Sequence, residues 1–94
     1  MELAITFRNV DPSEALKERA EKRFQKVLKH LKEPATAHIT VTVDKHRHRA
    51  ELTVHTNGDV LHASTETDDM YVSVDQAIAK IAAAARKQKE RHQR

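Results

Sequence analysis

Leu3, Ile5 and Phe7 alternate with Ala4, Thr6 and Arg8, the period-two pattern of a strand with one buried face. The period changes after Asn9-Val10. Asp11-Pro-Ser-Glu14 offers a side-chain acceptor for a helix cap, a proline at the first helical position and a glutamate at the third, a variant of the capping box. Leu16, Ala20, Phe24, Val27, Leu28 and Leu31 then recur by threes and fours, so the spacing predicts a helix with one core-facing stripe ending near Glu33-Pro34.

From His38 onward, Ile39, Val41 and Val43 alternate with Thr40 and Thr42. Leu52 and Val54 repeat the pattern within residues 50–56, and residues 60–66 form a third β-prone run. Asn57-Gly58 between the last two predicts a type I′ hairpin, since both residues tolerate positive φ. Residues 45–49, Lys-His-Arg-His-Arg, bridge the first two strands as a basic hairpin tip. The closing segment reads as one long amphipathic helix. Asp68 or Asp69 accepts backbone N–H groups at its start. At about 100° per residue, Met70, Val74, Ile78, Ile81 and Ala85 stack along one side, with Tyr71 and Ala82 at its edge.

The predicted order is therefore β-α-β-β-β-α. Each helix carries one apolar stripe, and one face of the sheet alternates Thr, His and Arg, which suits solvent. That pattern predicts an α+β fold, a four-stranded sheet with two helices packed on one face. Ninety-four residues support one core and no more. With no linker or repeat, residues 1–94 are expected to form a single domain.

Several chemistries find no support in the residues. There is no cysteine, hence no disulfide framework and no thiolate nucleophile or metal ligand. The one glycine, Gly58, is explained by its turn, so no phosphate-cradling loop is present. Ser13, Ser64 and Ser73 lack a nucleophile context. His46 and His48 sit among Lys45, Arg47 and Arg49, which oppose a metal ion. His55 and His62 are placed to face one another across the hairpin, but two histidines are an incomplete ligand set. No metal or other cofactor is expected. Helix capping explains Asp68 and Asp69, and Asp75 reads as an exposed first-turn acid, so the chain is not read as an enzyme. No apolar run approaches the roughly 20 residues of a membrane span, and the first residues lack a signal-peptide pattern. The expected location is cytoplasmic.

The formal charge is +3, with a pI near 9.4, and its distribution says more than its total. Lys80, Arg86, Lys87, Lys89, Arg91 and Arg94 face only Glu90 in the last fifteen residues, while residues 59–75 hold five acids and no Lys or Arg. On the first helix Arg19, Lys22, Arg23, Lys26 and His30 share one flank. On the second, Lys80, Lys87 and Arg91 form a stripe that Ser73 and Gln76 continue toward its start. With the Lys45–Arg49 tip, three basic segments are available to one surface, which points to nucleic acid. RNA is favoured over DNA, because no helix-turn-helix, zinc-finger or basic-zipper pattern appears. Aromatic content is 3% and Phe7 and Phe24 fall on core stripes, so phosphate and shape recognition should outweigh base stacking.

The β-α-β-β-β-α order, Asn57-Gly58 followed by His62-Ala63-Ser64, then Asp69-Met70-Tyr71 with Asp75, and the ending Lys87-x-Lys89-x-Arg91 together resemble the bacterial ribosome hibernation-promoting factors and ribosome-associated inhibitors. The resemblance covers essentially the whole chain. It implies binding to the small (30S) ribosomal subunit and the 70S ribosome, in the channel that messenger RNA and the A- and P-site transfer RNAs use, on 16S ribosomal RNA. Translation would be blocked by occupancy, without chemistry, as part of stationary-phase and stress responses. No membrane and no small-molecule substrate are implied, and the protein would be monomeric away from the ribosome. The family's basic positions carry over to Arg23 and Lys26, to Lys80, Lys87, Lys89 and Arg91, and to Lys45 at the hairpin tip. Arg19, Lys22, Arg47 and Arg49 join them from the charge pattern. Where the family usually reads Arg-Gln, this chain has Ala83-Ala84, which removes an expected phosphate contact and leaves Arg86 as the candidate replacement. The length suggests the short form of the family or the N-terminal domain of the long form.

Two other classes remain open from the residues alone. A protein-interaction domain would use the polar sheet face or the Met70-Tyr71 edge, and its binding would survive ribonuclease. A histidine-based phosphotransferase or hydrolase would lose turnover on replacement of His55 or His62.

Overall fold

The computed structural model describes the backbone of residues 2–92 and the side chains of residues 3–88. Its elements are β1 (Glu2–Arg8), α1 (Glu14–Leu28), β2 (Ala35–Asp44), β3 (Arg47–Thr56), β4 (Asp59–Thr67) and α2 (Met70–His92). The four strands lie side by side in chain order. β1 pairs parallel to β2, and the other pairs are antiparallel. A parallel neighbour needs a crossover, and α1 supplies it.

Turn chemistry sets the register. Asn57 and Gly58 have φ of 46° and 85°, which leaves Thr56 opposite Asp59 as a two-residue primed turn requires. At the other hairpin Asp44 pairs with Arg47, so the tip is only Lys45-His46, with Lys45 at φ 59°. The sequence reading made residues 45–49 the tip. In the structure Arg47, His48 and Arg49 belong to β3, because the pleat continues down to the turn.

Alternation along the strands buries Ile39, Val41, Ala50, Leu52 and Val54 completely, and the helices bring Phe24, Val74, Ala77 and Ile81 onto them. Each large side chain so buried contributes about 1.5–3 kcal/mol. The opposite sheet face carries His38, Arg49, His55, His62 and Ser64, all exposed. Among the described residues no helix is long and apolar enough to cross a membrane.

Three local expectations are corrected. Ser13, rather than Asp11, caps α1: its hydroxyl accepts from Leu16 N at 3.1 Å and its carbonyl from Lys17 N at 3.0 Å. Ser13 has the extended backbone of a cap residue, φ −129° and ψ 116°, so the helix starts past Asp11, with Glu14 in the first turn. α1 also stops at Leu28, short of Glu33-Pro34. His30 N and Leu31 N bond back to Val27 O and Leu28 O, tightening the last turn. The segment that follows is held by the β3–β4 turn, through Thr56 Oγ1 on Lys32 O and Asn57 N on Pro34 O.

Ser73 is the third correction: it is fully buried and does not continue the solvent stripe of α2. Its Oγ donates to His48 O and meets Thr67 Oγ1, both at 2.7 Å, while its carbonyl accepts from Thr65 Oγ1 at 2.6 Å. Asp69 caps the helix alongside, accepting from Tyr71 N at 2.9 Å and Ser73 N at 3.0 Å. Replacing Ser73 by alanine removes the hydroxyl that serves His48 O and Thr67 Oγ1, so urea denaturation should show a loss of about 1–3 kcal/mol. An unchanged midpoint would mean that the hydroxyl contributes nothing to docking α2.

β4 runs parallel to β1, so α1 and α2 are entered from the same end of the sheet and run in the same direction. Two contacts mark the two ends of the pair. Arg19 on α1 meets Asp75 on α2, and farther along Lys29 to Lys32 share a shallow cavity with Ala85 and Gln88.

Candidate nucleic-acid interface

Parallel packing lays the basic flank of α1 against one side of α2. Arg19, Lys22, Arg23 and Lys26 all project from this flank and are exposed. Arg19 donates from Nε and Nη2 to Asp75 Oδ1 and Oδ2 at 3.3 and 2.7 Å. Arg23 Nε lies 3.3 Å from Asp75 Oδ1. Asp75 is therefore not the free first-turn acid expected from sequence. Its side chain is 21% exposed and lies between two guanidiniums that are 41% and 51% exposed. The Arg19 guanidinium also lies over the Tyr71 ring, 5.7 Å from its centroid, within cation–π range. The hydrogen bond that Arg19 donates to Asp75 holds the Arg19 pKa above its already high ordinary value, so this charge is permanent.

At about 100° per residue Arg86 falls on the same side of α2 as Asp75, completing the interhelical row. Lys80 and Lys87 fall on the far side, over β4, where Lys80 Nζ donates to Ser64 O at 3.3 Å. The helix crest between Lys80 and Arg86 presents exposed Ala83, an uncharged gap of about 9 Å at 1.5 Å per residue. Lys22, Lys26, Arg86 and Lys87 have no ion-pair partner among the described residues. Lys89 and Arg91, the remaining contacts expected on α2, lie outside the residues whose side chains are described.

The β-hairpin contributes differently. Lys45 stands exposed at the tip, at the end of the sheet where both helices begin. Arg47 and Arg49 point to the sheet face away from the helices, where Glu66 lies 2.9 Å from Arg47 Nε and 3.8 Å from Arg49 Nε, and Glu51 lies 3.7 Å from Arg49 Nη1. The structure thus brings the two helix flanks together and leaves these two arginines on another surface. Cross-strand pairing with Glu66, 17 to 19 residues away, has no signature in the local pattern.

The histidines are dispersed. His48 faces inward with a buried Nδ1 that has no partner, while His46 is exposed in the turn. His55 lies opposite Val60 and His62 opposite Thr53, so the two imidazoles are diagonal rather than face to face; the two-residue turn dictates that offset. His62 Nδ1 bonds Thr53 Oγ1 at 3.0 Å, and His38 Nε2 bonds Thr6 Oγ1 at 2.7 Å. Among the described residues no three His, Asp or Glu side chains converge to hold a metal ion.

The sequence and the fold are shared with known proteins. The family model described as Sigma 54 modulation protein / S30EA ribosomal protein matches residues 3–93. The chain is 35% identical over 91 residues to the ribosome hibernation promoting factor of Escherichia coli K12, covering 97% of this chain and 96% of that protein. It is 33% identical over 98 residues to the ribosome hibernation promotion factor of a Picosynechococcus strain, covering 98% of this chain and 51% of that longer protein. Among solved structures, a ribosomal subunit interface protein from Coxiella burnetii superposes with a TM-score of 0.83 at 28% identity, covering 96% of this chain and 99% of that one. The N-terminal domain of Thermus thermophilus Protein Y superposes with a TM-score of 0.84, covering 93% and 98%; at 18% identity it speaks for the fold.

Proposed function

The chain belongs to the Sigma 54 modulation protein / S30EA ribosomal protein family, and from that premise we propose that it is a cytoplasmic ribosome hibernation factor that lies in the messenger and transfer RNA channel of the small subunit. Its whole length, residues 1–94, serves as one ribosome-binding domain, monomeric off the ribosome. It inhibits translation by occupancy of 30S subunits and 70S ribosomes, with no chemical step. The observation that carries the reading is the pair of parallel helices whose adjoining flanks bring exposed Arg19, Lys22, Arg23, Lys26 and Arg86 together.

Arg19, Lys22, Arg23, Lys26 and Arg86 form the central contact with 16S ribosomal RNA. Lys80 and Lys87 extend it along the far side of α2, Lys89 and Arg91 add their charges to the same contact, and Lys45 extends it past the helix starts. Arg47 and Arg49, held by Glu66 and Glu51, are secondary contacts. Phosphates dominate such an interface, and affinity then falls steeply with salt. The uncharged crest at Ala83 marks where this chain makes fewer phosphate contacts than an arginine there would give.

Co-sedimentation with purified 30S subunits on a sucrose gradient tests the proposal. The protein is expected in the 30S fractions and is expected to leave them when excess transfer RNA is added. Binding that persists undiminished under transfer RNA would place the site elsewhere. Association that survives ribonuclease digestion of the subunit would favour a protein partner.

A further inference from the structure

A carboxylate in the middle of a polyanion-binding ridge is adverse on charge alone, yet Asp75 sits there between Arg19 and Arg23. Stability does not account for it. Ion pairs whose arginines are this exposed contribute little to stability, and the helices are already joined by the core beneath them.

What the carboxylate does is fix geometry. Of the five N–H groups of Arg19, two are engaged by Asp75 and three remain. Arg23 forms an ion pair with the same carboxylate, its Nε 3.3 Å from Oδ1, and keeps its five N–H groups for a ligand. Tyr71 supports the Arg19 plane from a further side. Two planar donors are thus held beside each other with a combined charge of +1. Lys22 and Lys26, with no such partner among the described residues, offer charge on flexible stems.

Resting on the ribosomal RNA reading above, we propose that Asp75 is a positioning residue: it presets Arg19 and Arg23 as a rigid pair that engages backbone phosphates of folded RNA at one spacing. The lysines of the ridge supply attraction without regard to RNA shape, and the Asp75 cluster supplies discrimination. Binding energy is gained because the guanidiniums need no further ordering on contact. The proximity of a phosphate also turns Asp75 from partner to competitor, so only an RNA fold that meets the outward N–H groups without approaching the carboxylate is accepted.

The test compares 30S subunits with poly(U), an unstructured polyanion, for the wild-type chain and Asp75→Asn. Asparagine keeps the volume and removes one negative charge. Affinity for 30S is expected to fall about tenfold, the worth of one hydrogen bond to a charged group, although the protein has become more cationic. Affinity for poly(U) is expected to hold or rise, with a log-affinity against log-salt slope steeper by about 0.7. Asp75→Glu should restore part of the 30S affinity. Arg19→Lys, which keeps the charge and loses the fork, should reproduce the loss, and its combination with Asp75→Asn should be less than additive.

A rise in both affinities for Asp75→Asn would show the aspartate to be a simple charge penalty and would overturn the proposal. A parallel fall in both, with a lowered melting temperature, would reduce it to a structural link and overturn it as well. Wild-type protein that binds 30S no better than poly(U) would overturn the ribosomal reading itself, and this inference with it.

Discussion

Charge reversal at Lys26, Arg86 and Lys87 together, each to glutamate, is expected to lower affinity for 30S subunits about a thousandfold near physiological salt. Three hydrogen bonds to charged groups, at about 1.5 kcal/mol each, set that magnitude. The log-affinity against log-salt slope should become shallower by about 2–3, since each lost phosphate contact removes about 0.7–0.9. The fold should be unaffected, because all three residues are exposed and unpaired among the described residues. Co-sedimentation measured across a salt series, with a thermal melt as control, reads all three effects. Retained binding with an unchanged slope would remove the interhelical ridge from the interface.

The second large effect belongs to the core. Phe24, 1% exposed, is the largest fully buried side chain, and it lies where α1 meets the sheet and α2. Truncation to alanine should cost about 3–5 kcal/mol through lost burial and the remaining cavity. Against a total domain stability of about 5–15 kcal/mol, that is between about a fifth and the whole of it. Urea denaturation should show a lower midpoint at constant slope. A loss below about 1 kcal/mol would mean that neighbouring side chains collapse into the space.

Most of the fold was legible because it rests on local pattern. Ile39, Val41, Leu52 and Val54 alternate within their own strands, Asn57-Gly58 names its turn, and the stripes of α1 and α2 recur at helical spacing. Cap choice was harder, since Asp11 and Ser13 both satisfy a capping pattern and Pro12 is compatible with either. Ser73 has a polar side chain, and only its neighbours Thr65, Thr67 and His48, brought from β3 and β4, make burial acceptable.

The charged site divides along the same line. Which cations share a helix flank follows from periodicity, and so does the coincidence of Arg19 with Arg23. That Asp75 would sit between them does not, because 56 residues separate Arg19 from Asp75 and nothing local links the two helices. Arg47 and Arg49 looked like members of the same ridge until the pleat of β3 turned them to the other side of the sheet.

The place of α2 over the sheet bears also on how the chain is made. Val74, Ile78 and Ile81 close the core over Ile39, Leu52 and Val54, and they are encoded after every strand. During synthesis at about 5–20 residues per second, the 23 residues of α2 need about 1–5 s to be added. For that interval the meander of β2, β3 and β4 has been translated while its inner apolar face still lacks its lid. In this window the apolar side chains that α2 later covers lack their partners from that helix.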